Sequence, residues 1–283
     1  MGRWNRSVQL AKASWAVVAN NKALALLPLV SGLATLAVIG TFAVPVFLLS
    51  DGGNGISPVA YPIMFLGYLV LGYVALFFQT ALLHGADEYL RGGHPTFGSA
   101  LDGAAANAGR ILPWAILSST VSVVLQAVEQ KAGIVGRIVA SLVGMAWAVV
   151  TFLVLPIVVF ENIGLKDAVK RSATLFRQTW GENLVVNGGI GLVTMAAFFG
   201  VLVVGGILGV AAAAVSPVLL GLVIALAVVA FIGVMCVSSA MSGVARLVVY
   251  RYAVDRSVPA AFAGADLGGL YQTKTRRQRP WSR

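Results

Sequence analysis

Six long uncharged apolar stretches, a one-sided distribution of Lys and Arg, and an amphipathic segment ahead of each pair of stretches mark this chain as all-α. The predicted architecture is a polytopic membrane bundle of about six transmembrane helices with three cytoplasmic interfacial helices. Of 283 residues, 59% are hydrophobic and 11% are charged. A soluble domain has about 45–50% apolar and about 25% charged residues. The apolar residues fall in continuous runs rather than on one face, as spans in lipid require. A soluble globular fold is excluded on these grounds.

The six stretches cover residues 23–49, 58–83, 111–128, 138–160, 184–214 and 217–249. A hydrocarbon core needs about 20 helical residues, with a range of roughly 17–25. The third stretch is close to the lower limit. The fifth and sixth exceed the upper one, which predicts tilt, kinks or extension beyond the bilayer. The first is longer than a signal-peptide core and no small-residue cleavage site follows it, so it is expected to remain as a span.

Eighteen of the twenty Lys and Arg residues fall on one side of this arrangement, and Lys131 and Arg137 alone fall on the other. The positive-inside rule then places both termini and the longer links in the cytoplasm, with short outer links at 50–57, 129–137 and 214–216. The same rule accounts for the net charge of +10 without a nucleic-acid partner. Residues 1–250 are expected to form the bundle and 251–283 a basic tail whose last part is disordered.

Ahead of each pair of spans lies a helical stripe. Val8, Ala11, Trp15 and Val18 form the first, and Phe97, Leu101, Ala104 and Ala108 the second. The third runs through Leu165, Val169, Ser172, Phe176 and Trp180, with Ser172 its weak point. Short basic amphipathic helices of this kind lie in the membrane interface or pack across the end of a bundle. The expected unit is one such helix followed by a hairpin, used three times.

Chemistry-bearing motifs are scarce. No nucleophile elbow, phosphate loop, dinucleotide fingerprint or zinc helix is present, so no catalytic residue is assigned and the protein is expected not to be an enzyme. One Cys and two His are too few for a zinc or iron–sulfur centre, and no cofactor is expected. No charge is expected near the centre of any span, and Gln79, Gln126 and Asn187 are read as interhelical hydrogen-bonding groups rather than ligands. His84, Asp87 and Glu88 share one helix face, and with Glu161 they form a candidate polar cluster. The alternative is an ordinary polar helix end, with Glu161 in a structural ion pair.

The candidate lipid head-group residues are Lys166, Lys170, Arg171, Arg177 and Trp180 of the third stripe, with Arg276, Arg277 and Arg279 of the tail. A basic segment beside a membrane gains roughly 1 kcal/mol per residue from anionic lipid. Anionic membrane lipids are therefore the expected partners. The expected role is organising or handling lipid, or scaffolding membrane components. A solute transporter or channel and a membrane-embedded lipid enzyme are the alternatives.

Two segments carry a family resemblance: HGADEYLRGGHPTFGSALDGAAANAGRILPW at 84–114 and PIVVFENIGLKDAVKRSATLFRQTWGEN at 156–183. They resemble an uncharacterised family of six-span bacterial membrane proteins. That family is distantly similar to the membrane domain attached to some glycerophosphodiester phosphodiesterases. Pro156, Glu161, Ser172, Trp180 and Gly181 match the family pattern. The resemblance implies a helical bundle in a bacterial inner membrane. It does not imply the esterase, whose activity resides in a separate soluble barrel, because only about 34 residues follow the last span.

Overall fold

The computed structural model describes residues 3–49, 57–131, 133–178, 180–255 and Phe262. Its ten helical segments are α1 (Arg3–Asn20), α2 (Lys22–Leu48), α3 (Ala60–Leu90), α4 (Phe97–Ala106), α5 (Ala108–Lys131), α6 (Ile134–Thr151), α7 (Val154–Phe160), α8 (Leu165–Gln178), α9 (Trp180–Ala213) and α10 (Pro217–Asp255). Six helical stretches are long and apolar enough to cross a membrane: α2, α3, α5, α6 continued by α7, the 193–213 part of α9, and α10. The chain is an all-α polytopic membrane bundle.

The order of elements is a short helix followed by a hairpin, three times over. A single residue separates each short helix from the span after it: Asn21, Asn107 and Thr179. Asn21 caps α2 by accepting from the backbone N–H groups of Ala23 and Leu24, and its amide donates to the Pro95 carbonyl at 3.1 Å. Seven residues before these separators stand Ser14, Ala100 and Ser172, all buried. Three residues before them stand Val18, Ala104 and Phe176, also buried. Four before, Val17 and Leu175 are buried, while Gly103 leaves room for the His84 ring, which a Cβ there would meet at 2.5 Å.

Each short helix packs on the hairpin of the preceding unit. α4 lies on α3, α8 lies on α6 and α7, and α1 closes the ring by lying on α9 and α10. The sequence-predicted stripes are close to the buried faces, with two differences. Trp15 is 51% exposed, and the buried face of α1 runs through Ala11, Ser14, Val17 and Val18 instead. Ser172 is no weak point, because it is fully buried at a break in the fourth span.

That break was not expected within 138–160. Pro156 has no N–H to give the carbonyl one turn earlier, which weakens the helix before it, although α2 and α5 carry Pro28, Pro45 and Pro113 within them. The chain interrupts after Thr151, and Ser172 of α8 fills the gap. Its hydroxyl accepts from the Leu153 N–H at 3.1 Å and donates to the Val150 carbonyl at 2.6 Å. Ser14, the equivalent residue of α1, faces two unbroken helices, and its hydroxyl is buried without a hydrogen-bond partner among the described residues.

The close-packed core sits at one end of the bundle, where Lys and Arg gather. It is built from α1, α4, α7, α8, the first turns of α2 and α5 and the last turns of α3 and α10. Along the rest of their length the spans present exposed Leu, Ile, Val and Phe side chains. This is the pattern expected when lipid rather than protein covers the apolar surface. Beyond residue 250, α10 continues to Asp255, and Phe262 is buried in the same core.

Candidate functional site

The basic end carries two kinds of feature: a layer of polar side chains between helices and a set of grooves on the outside. The polar layer starts at Asp87, in the penultimate turn of α3 and 8% exposed. Its Oδ1 accepts from Arg251 of α10 through Nη2 at 2.6 Å and Nε at 2.9 Å, and its Oδ2 pairs with Arg91 at 2.8 Å. One turn earlier, His84 stacks beside Phe160 and lies 3.0 Å by Nε2 from Asn107 Nδ2. The same Nδ2 donates to the Gly103 carbonyl at 2.9 Å. An amide NH₂ only donates, so Nε2 of His84 is the accepting nitrogen.

Glu88 accepts from the Ser99 hydroxyl at 3.0 Å, beside the capping box that Thr96 and Ser99 form at the start of α4. Glu161 accepts from Arg171 Nε and from the Tyr250 hydroxyl, each at 3.3 Å. His84, Asp87, Glu88 and Glu161 thus belong to one layer, yet each is held by a different partner. No group of three metal-ligating side chains forms among the described residues. The shared face of His84, Asp87 and Glu88 is real, but partners from α4 and α10 divide it.

The sixth stretch, read as uncharged over 217–249, contains Arg246 towards its end. Its Nη1 donates to Gln79 of α3 at 3.1 Å, its guanidinium lies 5.0 Å over the Phe152 ring, and its Nε is buried without a partner among the described residues. For a helix along the bilayer normal, Gln79 is about 28 Å from Ala60, at the edge of the ~30 Å hydrocarbon core. The Arg246–Gln79 contact thus lies nearly one core thickness along α3 from Ala60, and the Asp87–Arg251 pair lies two turns further on. Gln126 reaches the Tyr68 hydroxyl at 3.4 Å towards the other end of the bundle. Gln79 and Gln126 bond different partners, and the Asn187 side chain is outside the described residues.

Outside the bundle, α8 presents Lys166, Lys170, Arg171 and Arg177 to solvent. Arg171 is paired with Glu161, and the other three make no ion pair among the described residues. Trp180 is the first residue of α9 rather than the last of α8; its side chain, and the whole of Arg276, Arg277 and Arg279, lie outside the described residues. A groove of about 590 Å³ runs between α6 and α8, floored by Leu142, Met145, Val149 and Phe176 and bounded by Arg177. A second, of about 610 Å³, lies between α1, α9 and α10, with Lys12 and Trp15 on its wall. The sequence signalled Arg177 through the basic stripe of α8. It held no comparable signal for Lys12, because the groove beside it is formed by helices about 180 residues further on.

Fold and surface together define a multi-pass membrane protein with a close-packed basic end and apolar grooves leading away from it. No curated protein and no solved structure matches the chain. Residues 58–259, from just before α3 to just past α10, match the model of a family of unknown function, DUF6159. The chain belongs to that family.

Proposed function

We propose that this protein binds and organises anionic phospholipid around its basic end, acting by binding rather than by catalysis. The observation that carries the proposal is the groove between α6 and α8. Its floor is apolar, it is open to the side where lipid chains would lie, and Arg177 stands over it on a helix with two further unpaired cations, Lys166 and Lys170. That pairing of an apolar channel with fixed positive charge matches an acyl chain beneath a phosphate. The separate engagement of His84, Asp87, Glu88 and Glu161 supports a structural rather than catalytic polar layer. The positive-inside rule puts the basic end in the cytoplasm, and the family resemblance favours a bacterial inner membrane.

The test is native mass spectrometry of the full chain released from vesicles of phosphatidylglycerol and phosphatidylcholine. Wild type is expected to retain phosphatidylglycerol selectively. Replacing Lys166, Lys170 and Arg177 together by Gln removes about 3 kcal/mol of attraction, at roughly 1 kcal/mol each, while sparing the Arg171–Glu161 pair. Retention should then fall by about two orders of magnitude with melting temperature unchanged. Equal retention of both lipids by wild type would overturn the proposal.

A further inference from the structure

The groove between α1, α9 and α10 is the larger of the two that end beside a basic residue, and nothing in the polar layer uses it. We infer that it seats one acyl chain of an anionic phospholipid, with the phosphate on Lys12. The inference rests on the lipid-binding function proposed above and adds a second, separate site to it.

The floor is made by Val193 and Ala197 of α9 and by Ala230, Gly233 and Val237 of α10. The Thr194 hydroxyl donates to Ser238 Oγ at 2.9 Å, so the polar atoms of the floor are turned towards each other. What remains is an apolar trough. A second cavity of about 530 Å³ continues it between α9 and α10, sharing Ala197, Ala230 and Val234 with the first. A groove of this kind, facing lipid along its length, takes a chain more readily than a polar solute.

Its dimensions agree. From Ala230 to Met241 the first cavity spans eleven residues of α10, or about 16 Å at 1.5 Å per residue. One leaflet of a ~30 Å hydrocarbon core is about 15 Å deep. The groove is therefore about as long as one leaflet is deep, and the second cavity extends it along α10 to Val223.

The occupant is identified by what stands at the mouth. Lys12 is exposed and makes no ion pair among the described residues, and Trp15, half exposed, stands one turn further along α1. An unpaired cation beside an aromatic ring at the boundary is the arrangement that meets a phosphate above and glycerol and chain below. A second copy of the chain would need an acidic patch to answer Lys12. Among the described residues, Asp87, Glu161 and Asp255 are already held by arginines, and Glu88, Asp102, Glu129 and Asp167 fall on four different helices.

The groove can be filled without disturbing the fold, which makes the site testable. A Cβ at Gly233 meets nothing within 4 Å. Leu at this position points a side chain into the trough and improves helix propensity. The probes are vesicles of phosphatidylglycerol and, separately, of phosphatidylcholine, and the readout is the number and occupancy of lipids retained per chain by native mass spectrometry.

Wild type is expected to hold one more phosphatidylglycerol than Gly233→Leu. Lys12→Gln should lower the occupancy of that lipid about fivefold, the factor matching loss of one head-group cation, and Lys12→Arg should restore it. The loss should add to that of the Lys166, Lys170 and Arg177 variant. If wild type retains no phosphatidylglycerol, the function proposed above falls. If it does, and neither Gly233→Leu nor Lys12→Gln changes the count, this second site alone is overturned. A dimer that Gly233→Leu dissolves overturns it as well, in favour of a second copy in the groove.

Discussion

Asp87 ties the first repeat to the third, and its removal is the most informative perturbation of the fold. Asp87→Asn keeps the shape of the side chain and removes the charge. The carboxylate accepts two charge-assisted bonds from Arg251 and one from Arg91, across a sequence separation of 164 residues in the first case. Breaking a buried ion pair costs about 3–5 kcal/mol because a charge is left without its partner. Here the Arg251 side chain is 24% exposed, so water recovers part of that cost, and about 2–3 kcal/mol is expected. Arg91 is 67% exposed, and Arg91→Gln should cost no more than about 0.5–1 kcal/mol. Arg251→Met should cost about 2 kcal/mol, and in the double variant the two losses should overlap by about 2 kcal/mol. Unfolding in a denaturing detergent, followed by tryptophan fluorescence, measures each value on the full chain. A coupling within about 0.5 kcal/mol of zero, or an Arg91→Gln loss equal to that of Asp87→Asn, would refute the assignment of Asp87 and Arg251 as the link between repeats.

Three further outcomes are expected. Ser172→Ala leaves the Leu153 N–H and the Val150 carbonyl without their partner and should cost about 2–6 kcal/mol, at about 1–3 for each group; Ser14→Ala, at the equivalent place but with no bond to lose among the described residues, should be neutral or stabilising by the same unfolding assay. Gly103→Ala puts a methyl into the space of the His84 ring and should destabilise by about 1–3 kcal/mol, whereas Gly32→Ala, in open space, should not lower the melting temperature. For orientation, Lys131→Cys and Lys170→Cys in a Cys236→Ser background should differ in intact cells: a membrane-impermeant maleimide labels the first and spares the second, and the reverse pattern would invert the proposed topology.

The spans and the three short helices were legible because each is a local pattern: an uncharged run of sufficient length, or a stripe at three- and four-residue spacing. What lay hidden depends on residues far apart in the chain. Nothing near Asp87 indicates Arg251, and nothing near Gln79 indicates Arg246, 167 residues away. Arg246 looks like the first charge after a span only if α10 is taken to end near residue 249. The helix instead runs on to Asp255, so Arg246 sits within it and pairs with Gln79 of α3. Pro156 was a visible sign of the break between α6 and α7. Its remedy, a serine from another repeat, was not, because serine in an apolar stripe reads as a defect until its partners are known. The basic face of α8 was legible in full, while the groove that gives Arg177 its context required α6 in place.

The three repeats do not use their short helices in the same way, and the difference explains where lipid is proposed to bind. Six residues before the separators stand Trp15, Leu101 and Ala173. Trp15 and Ala173 line the two grooves, whereas Leu101 packs against the core. The reason lies with α4, which has 10 residues against 18 for α1 and 14 for α8. Gly103 lets it lie close on α3, with Asn107 fastened to His84 and Ser99 to Glu88. Close contact leaves no trough beneath the helix, and α4 itself carries no Lys or Arg to place over one. The longer α1 and α8 each border a groove and bring a cation, Lys12 or Arg177, to its edge. On this account the second repeat locks the ring, and the first and third hold lipid. Giving α4 a cation, as in Gly98→Lys at the position equivalent to Lys12 and Lys170, should then add no retained lipid, since charge without a groove has no chain to hold beneath it.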